Sequence, residues 1–294
     1  MTPRAAAVCG LLLLAALPVA ATDSVPAVDW RASIDAATRH IRRGADLPTS
    51  DQGVTSIGAA ARHRTTGVFA RARLTAVLAD RDAPFRTRDL DELFAAVGIN
   101  RTFDLAGRLV AAALAVDGYL YPRRVEAGYG ALIIEPRLAL AAPQLPLSPS
   151  FYLVYDTTPL QRGWYWELSA TVVPRVGSRP VPVSGSFGWV EHYRKQDTPD
   201  VISTTRAIGV LGFLAALAPA VAELEIAAPV VVASVPTGDG RSRRIDIRPY
   251  VRAVLVSPFV QSINEDGAEL VLGLRLSAAT AGAQNPESFR FLLD

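Results

Sequence analysis

From position 151 to 193 the chain gathers aromatic and β-branched side chains into short runs, FYLVY, WYWELSATVV and VPVSGSFGWV. Pro159, Gly163, Pro174, Gly177 and Pro180 interrupt these runs. Side chains of this kind favour a pleated, half-buried surface, and glycine and proline between them mark turns. The pattern predicts three strands of an antiparallel sheet at the centre of the fold. Three of the four tryptophans lie here, Trp164, Trp166 and Trp189. In a strand Trp164 and Trp166 share one face while Tyr165 takes the other.

The start of the chain bears on compartment. Arg4 precedes an apolar run at 11–17, a break at Pro18 and small residues up to Ala21, the layout of a secretory signal peptide over residues 1–22. That run is shorter than the roughly 20 residues of a spanning helix. The single cysteine, Cys9, falls inside the segment, so the mature chain has no thiol for catalysis, for zinc or for disulfides. Its stability must come from a core. Only Lys195 is lysine among thirty basic residues, a skew that fits a GC-rich bacterial genome. A formal net charge of +2 and the absence of a basic cluster argue against nucleic acid as a partner.

Taken in order, Trp30, Ile34, Ala37 and Ile41 recur at helical spacing behind Asp29 as a cap, with Gly44 as a stop, and predict a helix. Residues 68–78 alternate, with Val68, Ala70, Ala72 and Leu74 on one side and Phe69, Arg71 and Arg73 on the other. Period two fits them best. Thr87 as cap, acids in the first turns, and Leu90, Leu93, Phe94 and Val97 on one face predict a second helix over 87–97. A strand is expected around Tyr119 and Tyr121 and another over 132–140. The proline-spaced AAPQLPLSPS at 141–150 reads as a linker. Residues 203–222, apolar at 208–217, read as a buried crossover helix. Tight-turn sequences TGDG at 237–240 and NEDG at 264–267 predict two hairpins, because glycine accepts positive φ without strain.

These pieces give an α+β expectation: a mainly antiparallel sheet or β-sandwich, an N-terminal helical part and one buried helix at about 203–222. The domain division is a signal peptide at 1–22, a mixed part at 23–140, the linker at 141–150 and an aromatic-rich sheet at 151–294.

No nucleophile elbow, phosphate-binding loop or dinucleotide fingerprint occurs, and the three histidines are too dispersed to form a helical metal pair. No metal or cofactor is expected. Trp164, Trp166, Trp189, Tyr193 and Arg194 form a candidate ligand platform, since flat rings stack on sugar faces. Glu167, Glu191 and His192 are the candidates for catalysis, the two carboxylates as a glycosidase-type pair. The expected function is therefore a non-enzymatic, periplasmic or secreted binding protein. Its partner would be an envelope glycan, a lipid or another envelope protein, with no transmembrane span in the mature chain. The alternative is a periplasmic polysaccharide hydrolase.

Overall fold

A computed structural model describes residues 28–38, 41–42, 45–46, 53–77, 90–122, 132–157, 163–191, 221–228, 231–236, 242–256 and 268–280. The predicted signal segment, His192, Tyr193 and Arg194 lie outside these residues, as does 203–220 of the predicted crossover helix.

The main elements are strands: β1 (Val28–Ala37), β2 (Val54–His63), β3 (Val68–Val77), β4 (Leu90–Leu105), β5 (Arg108–Leu120), β6 (Leu132–Ala141), β7 (Ser150–Asp156), β8 (Gly163–Val172), β9 (Val183–Glu191), β10 (Val221–Ala227, continued by Val231–Pro236), β11 (Ser242–Val256) and β12 (Ala268–Thr280). Each pairs antiparallel with the next in sequence. β12 then returns to β1, with Arg31 opposite Ala279 and Ala37 opposite Gly273. The sheet is a closed up-and-down barrel of twelve strands among the described residues. The two parts of β10 lie end to end along β11, Val221–Ala227 against 250–256 and Val231–Pro236 against 242–247. Closure leaves no long edge with unpaired amides.

Three expectations are corrected here. The fold is all-β over the described elements, neither α+β nor a sandwich. The helix predicted from Asp29 is β1, and the one predicted over 87–97 is, from Leu90 where the described residues begin, β4. Where the crossover helix enters the described residues, at Val221 and Ala222, the chain is already strand. The cause is alanine, which fits either period. In β1, Trp30, Ala32, Ile34 and Ala36 alternate with Arg31, Ser33, Asp35 and Ala37, and the same residues sample a helical stripe at every fourth position. The 141–150 segment joins β6 to β7, which are hydrogen-bonded neighbours from Arg137 opposite Val154 to Ala141 opposite Ser150.

Connections differ between the barrel's two ends. At one end, where β1 begins and β12 stops, they span 64–67, 106–107, 142–149, 173–182 and 237–241. At the other they span 38–53, 78–89, 121–131, 157–162, 192–220 and 257–267. The tightest turn is Ala106–Gly107, with φ of 53° and 77°. Positive φ at both central residues is what a type I′ hairpin turn requires, and its twist matches that of the flanking strands.

Candidate functional site in the barrel wall

Alternation along each strand sorts side chains onto two faces. In β3 the buried or half-buried members are Phe69, Arg71, Arg73 and Thr75, and the exposed ones Val68, Ala70, Ala72 and Leu74. In β6 Ile133, Glu135, Arg137 and Ala139 alternate with Leu132, Ile134, Pro136, Leu138 and Leu140. Side chains on the concave face converge, and bonds skip a strand: Arg71 of β3 reaches Asp117 of β5 at 3.2 Å, and Tyr250 of β11 reaches Asp35 of β1 at 2.8 Å. The polar set therefore faces the axis.

The outward set is predominantly apolar on every strand, and Arg101, on the outward face of β4, donates to the Thr65 carbonyl at 2.8 Å near the strand ends. The set includes Ile57, Leu93, Val97, Leu114, Val116, Ile134, Leu168, Phe187, Leu224, Val251, Leu270, Leu272 and Leu274, all exposed. Val97 is 58% exposed and Leu270 60%, whereas Glu92 and Asp117 are 0% exposed. A folded chain in water does the reverse, because each large aliphatic side chain left in water forgoes about 1.5–3 kcal/mol. An apolar exterior over a polar interior is the pattern of a barrel that crosses a bilayer with strands, whose backbone polar groups are all paired within the closed sheet. The expectation of no transmembrane span is overturned by this reversal, since it considered helices alone. With it goes the expectation of a soluble periplasmic or secreted protein.

The tryptophan platform is corrected too. Trp164 and Trp166 of β8 and Trp189 of β9 share the outward face; Trp166 stacks on Trp189 with ring centroids 4.1 Å apart, and Trp164 leans on Tyr155 of β7 at 4.8 Å. All four stand toward the end that carries the longer connections, while Trp30 stands near the other. Rings at the two rims of an apolar band are the amphipathic girdle of a membrane barrel. Glu167 points the opposite way and accepts a 2.6 Å hydrogen bond from the Tyr165 hydroxyl. Glu191 occupies the register position opposite Trp164, three residues from Glu167, so positions 167 and 191 fall on opposite faces. No carboxylate pair is assembled there, and the hydrolase alternative falls.

Sequence reasoning passed over the inward charges. On β3–β6, Asp117 is gripped by Arg71 Nη2 and Arg137 Nε, each at 3.2 Å, and Glu92 by Arg73 at 2.8 Å and the Tyr121 hydroxyl at 3.1 Å. The Arg71 guanidinium lies 4.5 Å and that of Arg73 5.6 Å from the Phe94 ring centre. This part of the wall is densely covered by its own side chains. On the opposite side Arg275 holds Asp35 at 2.8 Å, Asp246 lies between Arg244 and Arg248 at 3.0 and 3.2 Å, and Arg252 faces Glu223 at 3.8 Å. These groups keep part of their surface open to water; Arg252 and Glu223 are each 22% exposed. Arg244, Asp246 and Arg248 alternate along the one strand β11, and their ion pairs line the lumen.

Glycine keeps bulky rings flat against the wall. A Cβ at Gly273 would collide with the Tyr250 ring and one at Gly188 with the Tyr165 ring. Each tyrosine thus lies along the sheet, where its hydroxyl reaches a carboxylate, rather than across the lumen.

The inward charges are also segregated. Among the described residues, Arg244, Arg248 and Arg252 (β11), Arg275 (β12), Arg31 (β1), Arg62 (β2), and Arg71 and Arg73 (β3) occupy one arc, with Asp246, Glu269, Asp29 and Asp35. The arc from β4 to β10 carries Glu92, Asp117, Glu135, Asp156, Glu167, Glu223 and Glu225 against Arg137. Hydroxyls fill the latter arc between its acids, with Ser150 bonded to Ser169 at 2.5 Å and Thr171 to Ser184 at 3.1 Å.

No family model matches the chain, and no curated protein is similar to it in sequence. Among solved structures it is similar to a KdgM porin, with TM-score 0.39, 7% identity, and 85% of this chain and 98% of that one covered. It is also similar to an outer membrane channel from Pseudomonas putida F1 (TM-score 0.40, 10% identity, 90% and 99% covered) and to the outer membrane protein Omp33 of Acinetobacter baumannii (0.31, 6%, 87% and 99%). These likenesses are too distant to carry function. The barrel rests on its own register: β12 pairs back to β1, and the face turned outward is the apolar one.

Proposed function

We propose that the chain is an outer-membrane channel that passes small hydrophilic solutes through a charged lumen. The observation that carries this is the inversion of the two faces, apolar outside and ionic, partly water-reached inside. The signal-peptide pattern predicted at 1–22 and the arginine-over-lysine skew that fits a GC-rich bacterial genome support export to an envelope that has an outer membrane. The unequal ends support an orientation: short turns face the periplasm, and the longer connections, 192–220 the longest of them, face outward. The protein's role is to hold an ionic path across the hydrocarbon, and no chemical step is involved.

The test is reconstitution of the full mature chain into planar bilayers. Discrete conductance steps that scale with salt concentration are expected, together with recovery of the protein in a detergent-extracted outer-membrane fraction. A chain that is released from membranes by carbonate or urea, or that inserts without conducting, would refute the reading.

A further inference from the structure

The lumen's charges are nearly balanced in number but divided between two arcs. We propose that the channel favours small zwitterions, solutes carrying an ammonium and a carboxylate or phosphate, over singly charged or neutral solutes of similar size; this rests on the channel reading above.

The two arcs meet at seams closed by ion pairs. Arg71 with Asp117 and Arg73 with Glu92 bridge one seam at 3.2 and 2.8 Å, and Arg252 with Glu223 bridges the other at 3.8 Å. Because the seams are zipped, each arc holds its sign in place, and the field runs across the barrel rather than along it. A monopole feels the potential, which changes sign between the arginine arc and the carboxylate arc, so either ion is drawn to one side and repelled by the other. A dipole feels the gradient, which keeps one direction across the section. A zwitterion turns its carboxylate toward the arginines and its ammonium toward Glu167 and Glu225, and both of its charges recover partners for the hydration they shed. The serine and threonine hydroxyls between the acids accept and donate without adding charge. Tyr165 and Tyr250 lie flat over Gly188 and Gly273, so neither ring projects from the wall toward such a solute.

The experiment measures entry of glycine betaine, choline, 4-hydroxybutyrate and erythritol into liposomes containing the full mature protein, at low ionic strength where the field is least screened. Betaine is expected to enter roughly threefold or more faster than the other three, and the gap to close in molar salt. Glu225→Gln and Arg248→Gln are expected to reduce the betaine advantage while shifting the reversal potential of a salt gradient in opposite directions; heat-modifiable migration in detergent gels certifies that each variant's barrel is intact. Rates ordered by size alone, a preference for one sign of charge, or shifts in the same direction in both variants overturn the selectivity and leave the channel standing. Passage of none of the four solutes overturns the channel, and the selectivity with it.

Discussion

Arginine placed at two points on one face of one strand separates a lipid-facing wall from a water-facing one. Val97 lies where β4 has both β3 and β5 beside it, opposite Ala70 and Val116, and is 58% exposed. Leu105, on the same face at the hairpin tip, pairs only with Arg108 and is 68% exposed. If water surrounded both, either substitution would fall within about 0.5 kcal/mol of neutral, as exposed changes do. In a bilayer an arginine near the midplane costs about 2–4 kcal/mol, and one at the interface about 0–1. Val97→Arg should therefore reduce the folding equilibrium constant about thirtyfold to several hundredfold, and Leu105→Arg by at most about fivefold. Denaturant unfolding from phosphatidylcholine vesicles, followed by tryptophan emission, reads both. Equal costs for the two variants, or a neutral Val97→Arg, would refute the assignment of the apolar face to lipid.

Other outcomes follow from the same geometry. Asp117→Asn leaves the Arg71 and Arg137 guanidiniums facing each other in a buried part of the wall and should lower stability by about 3–5 kcal/mol in the same titration. Gly273→Ala forces the Tyr250 ring off the wall and breaks its bond to Asp35, costing about 1–3 kcal/mol; single-channel conductance should fall as the ring enters the lumen. Ala106→Gly relieves a non-glycine residue at φ 53° and should stabilise by about 1 kcal/mol. Emission from Trp166 and Trp189 should be quenched by lipids brominated near the headgroup more than by aqueous iodide, whereas a ligand platform exposed to water would show the opposite order.

Much of the strand pattern was readable locally. The alternation at 68–78 appears as β3, with the same residues on the same two sides, and the segment with the tryptophans appears as β7, β8 and β9. TGDG and NEDG lie outside the described residues, but the strands on either side of each pair antiparallel. Reading failed where alanine made the period ambiguous, in β1, and where Thr87 and the acids after it imitated a helix start ahead of β4. Glu92, counted there as a first-turn acid, instead takes Arg73 and Tyr121 inside the barrel. Asn100, which opens a glycosylation sequon, lies buried, its backbone N–H donating to the Gly67 carbonyl at 2.8 Å.

What the chain determined by itself is periodicity: which residues share a side, and where the backbone turns. Which side meets solvent was not determined, because a strand that alternates leucine with arginine is equally consistent with an apolar core under a polar surface and with a polar lumen under an apolar surface. That choice depends on closure, and closure is set by contacts between residues far apart in sequence. Arg275 bonds to Asp35 across 240 positions, and Arg31 stands opposite Ala279. Only when β12 returns to β1 do the arginines converge on the axis, and the leucines and tryptophans, left outside, require hydrocarbon rather than water.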